Sequence, residues 1–328
     1  MEEQKSKEII SEKEKKEKEP KISLSFFFSP HATGKDFEKL GELFRRADVY
    51  IPEFADWSPE LLDDYQKLSR GEITPKEICE KHEYESNSAN EKEAEFIYQS
   101  QKPIFFVDIG KSQHLERAEK YYTEIRPYLT KAIQFFQEGD LEQAVKDFHT
   151  FYQLHTELES RREDIIKANL EKKLKELTVL CPELKNKDEI KVLIAFGAFH
   201  TKIYHSLAKK YPSLRQFSRT LFVYSSLDQV ERSMVFSKDV SKELLARQFP
   251  EARLCNFFDS ITSDSQKIIE IARKISSQLS FEDIKKMSAE WKFKNLDIRE
   301  NFIKYLENLG IKVPKSEEEM DEMIKGEH

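Results

Sequence analysis

Glycine and cysteine are scarce in this chain, 8 and 3 respectively in 328 positions. The cysteines, Cys79, Cys181 and Cys255, lie far apart with no CxxC spacing, which excludes a thiolate zinc module and a disulfide framework. Buried thiols in a reducing compartment are expected instead. No stretch approaches 18 continuous apolar residues, and the start of the sequence carries no apolar leader-like run, so a soluble, cytoplasmic protein without a membrane span is expected. Basic excess is absent too. The net charge is −7 and no cationic stripe interleaves with aromatics, which argues against nucleic acid as a partner. No GxxxxGK[ST] occurs and no GxGxxG follows the first strand. The "DIGKS" at 108–112 has only the tail of a phosphate loop.

Charge itself is plentiful, at 35% of residues against 38% hydrophobic. Much of it sits at the ends. Residues 1–20 mix Lys and Glu with almost nothing to bury, and residues 311–328 are similar, so both read as charged, solvated tails. Between them, residues 21–310 read as one α/β domain. "ISLSFFFSPH" is a buried strand stopped by Pro30, "KDFEKLGELFRRA" has helical spacing at Phe37, Leu40, Leu43 and Phe44, and "DVYIPEF" is a second strand. Residues 56–100 are helical, with Ser58 as N-cap and Pro59 at the first helical position. "PIFFVDIG" (103–110) is a third strand. A helical insertion over about 113–180 follows, broken at Pro127 and at "EGD" (138–140), and its 132–153 portion reads as an αα-hairpin, a candidate lid. "KVLIAFGAFH" supplies a fourth strand and "RTLFVYSS" (219–226) a fifth. The expectation is a mainly parallel central sheet flanked by helices, with a large helical insertion between the third and fourth strands.

In such sheets ligands bind beyond the carboxyl ends of the strands. Those ends carry His31, Glu53, Asp108 and His200. Imidazole and carboxylate are the usual ligands of a divalent metal with an open position and the usual acid–base groups for activating water. Each has an ordinary alternative as a loop residue, a helix cap or a satisfied core group; the coincidence of four at one edge is what suggests a site. Gly197, three residues before His200, is expected to permit a sharp turn by positive φ or close backbone approach. His205 is not a second ligand on the same face, because five helical residues turn it about 140° away from His200.

The segments "FSPHATGKDFEKLGELFRRADVYIPEF" and "KVLIAFGAFHTKIYHSLAKKYP" together resemble the superfamily of TraB/PrgY, Tiki, ChaN and erythromycin esterase over roughly residues 21–225. Gly197-Ala198-Phe199-His200 matches its second GxxH motif and Glu53 its strand-end glutamate. The helical motif is partial: "REDIIKANL" keeps Arg162 and Asn169 but has Ile166 and Lys167 in place of Met-Ala. The first GxxH departs from the pattern, with Phe28 at the glycine position and Pro30 before His31. The resemblance implies a site of His31, Glu53, Arg162 and His200, with Asp108 nearby. The residue chemistry gives His31 and His200 as ligands or an acid–base pair, Glu53 as ligand or general base, and Arg162 as oxyanion stabiliser or carboxylate clamp. A hydrolase-like protein follows, protease-like or esterase-like, acting on a small-molecule or peptide substrate with Mn, Co or Zn as the metal where one is used. A non-catalytic ligand-binding or regulatory member is the alternative, and a second copy of the chain, in a homo-oligomer, is the other partner considered.

Overall fold

The computed structural model describes residues 19–29, 38–84, 89–197, 200–217, 225–291 and 298–325. The chain divides into two compact units: Met1–Asp108 with Ile166–Ser218, and Ile109–Ile165 with Arg219–His328.

The first unit is built on four parallel strands, β1 (Lys21–Ser29), β2 (Val49–Pro52), β3 (Glu189–Gly197) and β4 (Ser213–Phe217), in the order β2-β3-β1-β4. The long apolar runs are explained by burial on both faces. Leu24, Phe26 and Phe28 of β1 pack with Val49, Ile51, Val192, Ile194 and Phe196 on one face; Phe27 packs with Tyr50, Leu193 and Ala195 on the other. Helix α1 (Glu38–Arg46) covers the second face through Leu40, Leu43 and Phe44, as its spacing predicts; Phe37 lies outside the described residues. Three more helices follow on the chain: α2 (Pro59–Ser69), α3 (Pro75–Lys81) and α4 (Ala89–Ser100). The Ser58 side chain accepts the Leu61 N–H and Pro59 opens the helix, so this cap was readable in advance.

The third expected strand does not form, and the segment meets β2 through the bridge of Tyr50 with Ile104. Tyr50 N–H donates to Pro103 O at 2.9 Å and Phe105 N–H to Tyr50 O at 3.1 Å. The next donor on that side of β2 would be residue 52, which is proline, and the ladder stops there. The sheet gains instead β4, whose "SLRQF" lacks an apolar run because this edge strand is half exposed. The expected "RTLFVYSS" strand has its residues 219–224 outside the described residues, and Ser225 and Ser226 cap and open a helix.

The expected helical insertion is present between the Ile104 bridge and β3. Helix α5 (Lys111–Lys120) passes through a π turn at Tyr121–Ile125 into α6 (Arg126–Gln137), with Pro127 in the first turn of α6. A π turn is the expected accommodation of a proline that cannot donate within the helix. Gly139, at φ +83°, makes the turn into the 40-residue α7 (Leu141–Leu180). Residues of α7 up to Ile165 belong to the second unit and those from Ile166 to the first. After β3 comes the short α8 (Thr201–Leu207) of the first unit.

The second unit is helical and has its own core, in which Phe136 stacks on Phe249 at 4.2 Å. Its last helix, Glu317–Lys325, corrects the expectation of a solvated C-terminal tail: Met320 is fully buried, with Ile311 and Val313. Met323 and Ile324 pack against the same core, so a few apolar side chains among many charges dock the segment.

Candidate functional site

Because the strands are parallel, β1, β2 and β3 end at one edge: Ser29 pairs with Gly197 and Pro52 with Ala195. Glu53 follows β2, its N–H donating to Ala195 O at 2.9 Å. In a parallel ladder the amides of alternate residues face the same neighbour, so the Gly197 N–H also faces β2. Its acceptor is the side chain of Glu53, Oε2 at 2.5 Å. The other oxygen, Oε1, lies 3.0 Å from His200 Nε2. Both side chains are largely buried, His200 at 8% and Glu53 at 17% exposure. His200 stands at the N-cap of α8 and meets the ring of Phe196 edge-on at 5.8 Å.

Gly197 therefore serves differently from the expectation. It is the last residue of β3, extended and in register with Ser29, and is not among the glycines with positive φ. Its contribution is the N–H that holds Glu53.

Of the expected site residues, the structure joins Glu53 and His200 directly. Asp108 lies four residues past Ile104, the bridge partner of Tyr50, and is 1% exposed. His31 lies outside the described residues. Arg162 falls in the second unit, 11% exposed, with Nη1 3.6 Å from Glu159 Oε2 one turn earlier on α7. It is no solvated charge run: Glu159 also pairs with Arg117, and His155 Nδ1 lies 3.3 Å from Glu231 Oε1. Asn169, flagged by the helical motif, donates from Nδ2 to Val107 O at 2.9 Å. Trp57, which nothing in the sequence singled out, donates its indole N–H to Asp108 O at 2.8 Å.

Two ligands sharing a metal aim their lone pairs at one ion about 2 Å from each. Here Nε2 and Oε1 face each other, as donor and acceptor. Among the described residues, no group of three or more His, Cys, Asp or Glu side chains is arranged to hold a metal ion. Glu53 and His200 form a hydrogen-bonded carboxylate–imidazole pair. No helix among the described residues is long and apolar enough to cross a membrane.

Comparison with protein-family models, with curated proteins and with solved structures finds no match to this chain.

Proposed function

We propose that the first unit carries a hydrolase-type site in which His200 is the general base and Glu53 its orienting carboxylate. The observation that carries this is the 3.0 Å contact of His200 Nε2 with Glu53 Oε1 at the carboxyl edge of adjacent parallel strands. A carboxylate on Nε2 selects the tautomer with its proton there and puts the basic lone pair on Nδ1. Nδ1 takes a proton from water as the water oxygen bonds to a carbonyl carbon. The imidazolium so formed is stabilised by Glu53 and returns the proton to the leaving group as its bond to carbon breaks. The resemblance to the TraB, Tiki, ChaN and erythromycin esterase superfamily supports the same two residues, Glu53 and His200, and favours small esters, lactones or peptides as substrates. Metal assistance through His31 with these residues is the second reading, supported by the same motif order.

The test is hydrolysis of a panel of p-nitrophenyl esters and chromogenic peptides by chelator-treated protein, then with Mn, Co or Zn added. Wild type is run beside Glu53→Gln and His200→Ala. Metal-free turnover that falls about 100-fold or more in both variants is the expected result. Turnover only with metal selects the second reading, and variants as active as wild type overturn both. No turnover, with a small molecule raising the Tm of wild type but not of His200→Ala, selects a non-catalytic binding site.

A further inference from the structure

Strand β4 stands at one end of the sheet, and among the described residues no strand lies beyond it. Leu24 N–H donates to Pro212 O at 2.9 Å, so the alternation of a parallel ladder turns the amides and carbonyls of Leu214 and Gln216 toward β1. Those of Ser213 and Arg215 point away from the sheet. An edge of this kind is a template for another strand.

The side chains beside this edge would receive one. Leu214 pairs with Ser25, two residues from Phe27, so it lies on the α1 face of the sheet, and it is 51% exposed. Between it and α1 is a groove of about 340 Å3, with Leu43 and Ala47 on one side and Ser23 and Ser25 below. A second groove, about 480 Å3, lies between Gln216 and the Lys39 and Glu42 positions of α1. The charges are mainly positive. Arg46 and Lys191 line the first groove with Glu189 as its one acid. On the opposite face Arg215, in register with Phe26, lays its guanidinium over Tyr204 at 5.3 Å and Phe217 at 5.6 Å. Among the described residues no carboxylate pairs with Arg46, Lys191 or Arg215. A chain of net charge −7 thus gathers unpaired cations along one sheet edge.

We propose that β4 is a docking edge for an extended acidic segment of a partner protein, which joins the sheet as a further strand. Its backbone pairs with Ser213 and Arg215. On the α1 face its apolar side chains lie beside Leu214 and its acidic ones turn to Arg46 and Lys191; on the other face an acidic side chain meets Arg215. A second copy of this chain fits less well. Two β4 strands overlapped in full and antiparallel set Arg215 against Arg215, and like charges directly opposite destabilise.

The test is selection of phage-displayed random decapeptides on the full chain, followed by fluorescence anisotropy of the peptides recovered. Sequences that alternate apolar residues with Asp or Glu are expected. Arg215→Pro removes an outward N–H and leaves the β1 ladder whole, since an edge strand tolerates proline there. Leu214→Glu puts a negative charge into the groove at a side chain already half in solvent. Each is expected to weaken binding at least about 10-fold with Tm close to wild type, and Leu214→Glu serves where Arg215→Pro does not fold. No peptide recovered, basic peptides recovered, or wild-type binding by either folded variant overturns the proposal. So does sedimentation of the wild type as a dimer that Leu214→Glu dissociates, which would give the edge to a second copy.

Discussion

Glu53 accepts the backbone N–H of Gly197 with its side chain, so a carboxylate stands where the next carbonyl of β2 would continue the ladder. One oxygen is thus part of the sheet and the other is on His200. The two duties can be separated by mutation. Glu53→Gln keeps a carbonyl oxygen for Gly197, while its amide, as a donor, forces His200 into the opposite tautomer. Glu53→Ala leaves a buried N–H without its acceptor, which costs about 1–3 kcal/mol. Urea unfolding is expected to place Glu53→Gln within about 1 kcal/mol of wild type and Glu53→Ala well below it. Equal losses in both would mean that the Gly197 bond carries no stability of its own.

What the sequence revealed follows a physical pattern. Strands β1, β2 and β3 are buried on both faces, and such strands advertise themselves as apolar runs. Caps and turns are local, so Ser58 and the glycine turn at Gly139 were equally legible. Glu53 and His200 could be picked out because parallel strands bring residues distant in sequence to one edge. The remainder depends on partners that local pattern does not encode. Pro52 ends a ladder only because Phe105 is the neighbour that needed its N–H, and Trp57 matters only because Asp108 O is its acceptor. Strand β4 was missed since an exposed edge strand has no hydrophobic signature.

Asp64 gives the fold an acid-sensitive joint. It is 4% exposed on α2, with Lys81 Nζ at 2.8 Å and His82 Nε2 at 2.9 Å from Oδ2. Burial alone would raise its carboxyl, but the hydrogen bonds from Lys81 and His82 outweigh it and hold the group below its ordinary range. The unfolded chain therefore takes up this proton first as pH falls. The stabilisation is complete above about pH 4, the ordinary Asp value, and is lost as pH drops through the lower folded value. Asp64→Asn is expected to be less stable than wild type at pH 7, with the gap narrowing as pH falls below about 4. A gap that stays constant as pH falls would rule out the charge as its source.

The three thiols are expected to be inert in the folded protein. Burial, with Glu183 nearby, pushes Cys181 up to about 11, and burial with Glu251 and Asp259 pushes Cys255 up to about 12. Cys79 is raised by burial and by Glu91 and Glu95. The thiolate is the reactive form, and an ordinary thiol lies near 8.5. At pH 8, Cys181 and Cys255 should thus react with a chromogenic disulfide about 100-fold or more slowly than in guanidinium, where all three cysteines titrate at once. Fast labelling of Cys181 without denaturant would contradict its burial at 3% exposure.

Pro52 is the residue at which the pairing of β2 with the 103–105 segment stops, and restoring its N–H tests that account. Phe105 donates to Tyr50 O, so Phe105 O faces the nitrogen of residue 52. Pro52→Ala supplies the donor. The new hydrogen bond stabilises by about 0.5–1.5 kcal/mol. Against it, the unfolded chain regains freedom worth about 0.4–1 kcal/mol when proline is lost. Net stability is therefore expected to stay within about 1 kcal/mol of wild type, and the informative readout is local. In Pro52→Ala the new amide at position 52 should be protected in hydrogen exchange to the level of its neighbours in β2. Exchange of that amide at the rate of an open one would mean that the segment after Phe105 leaves the sheet for another reason. The bonds from Asn169 to Val107 and from Trp57 to Asp108 would then be the force that draws it away.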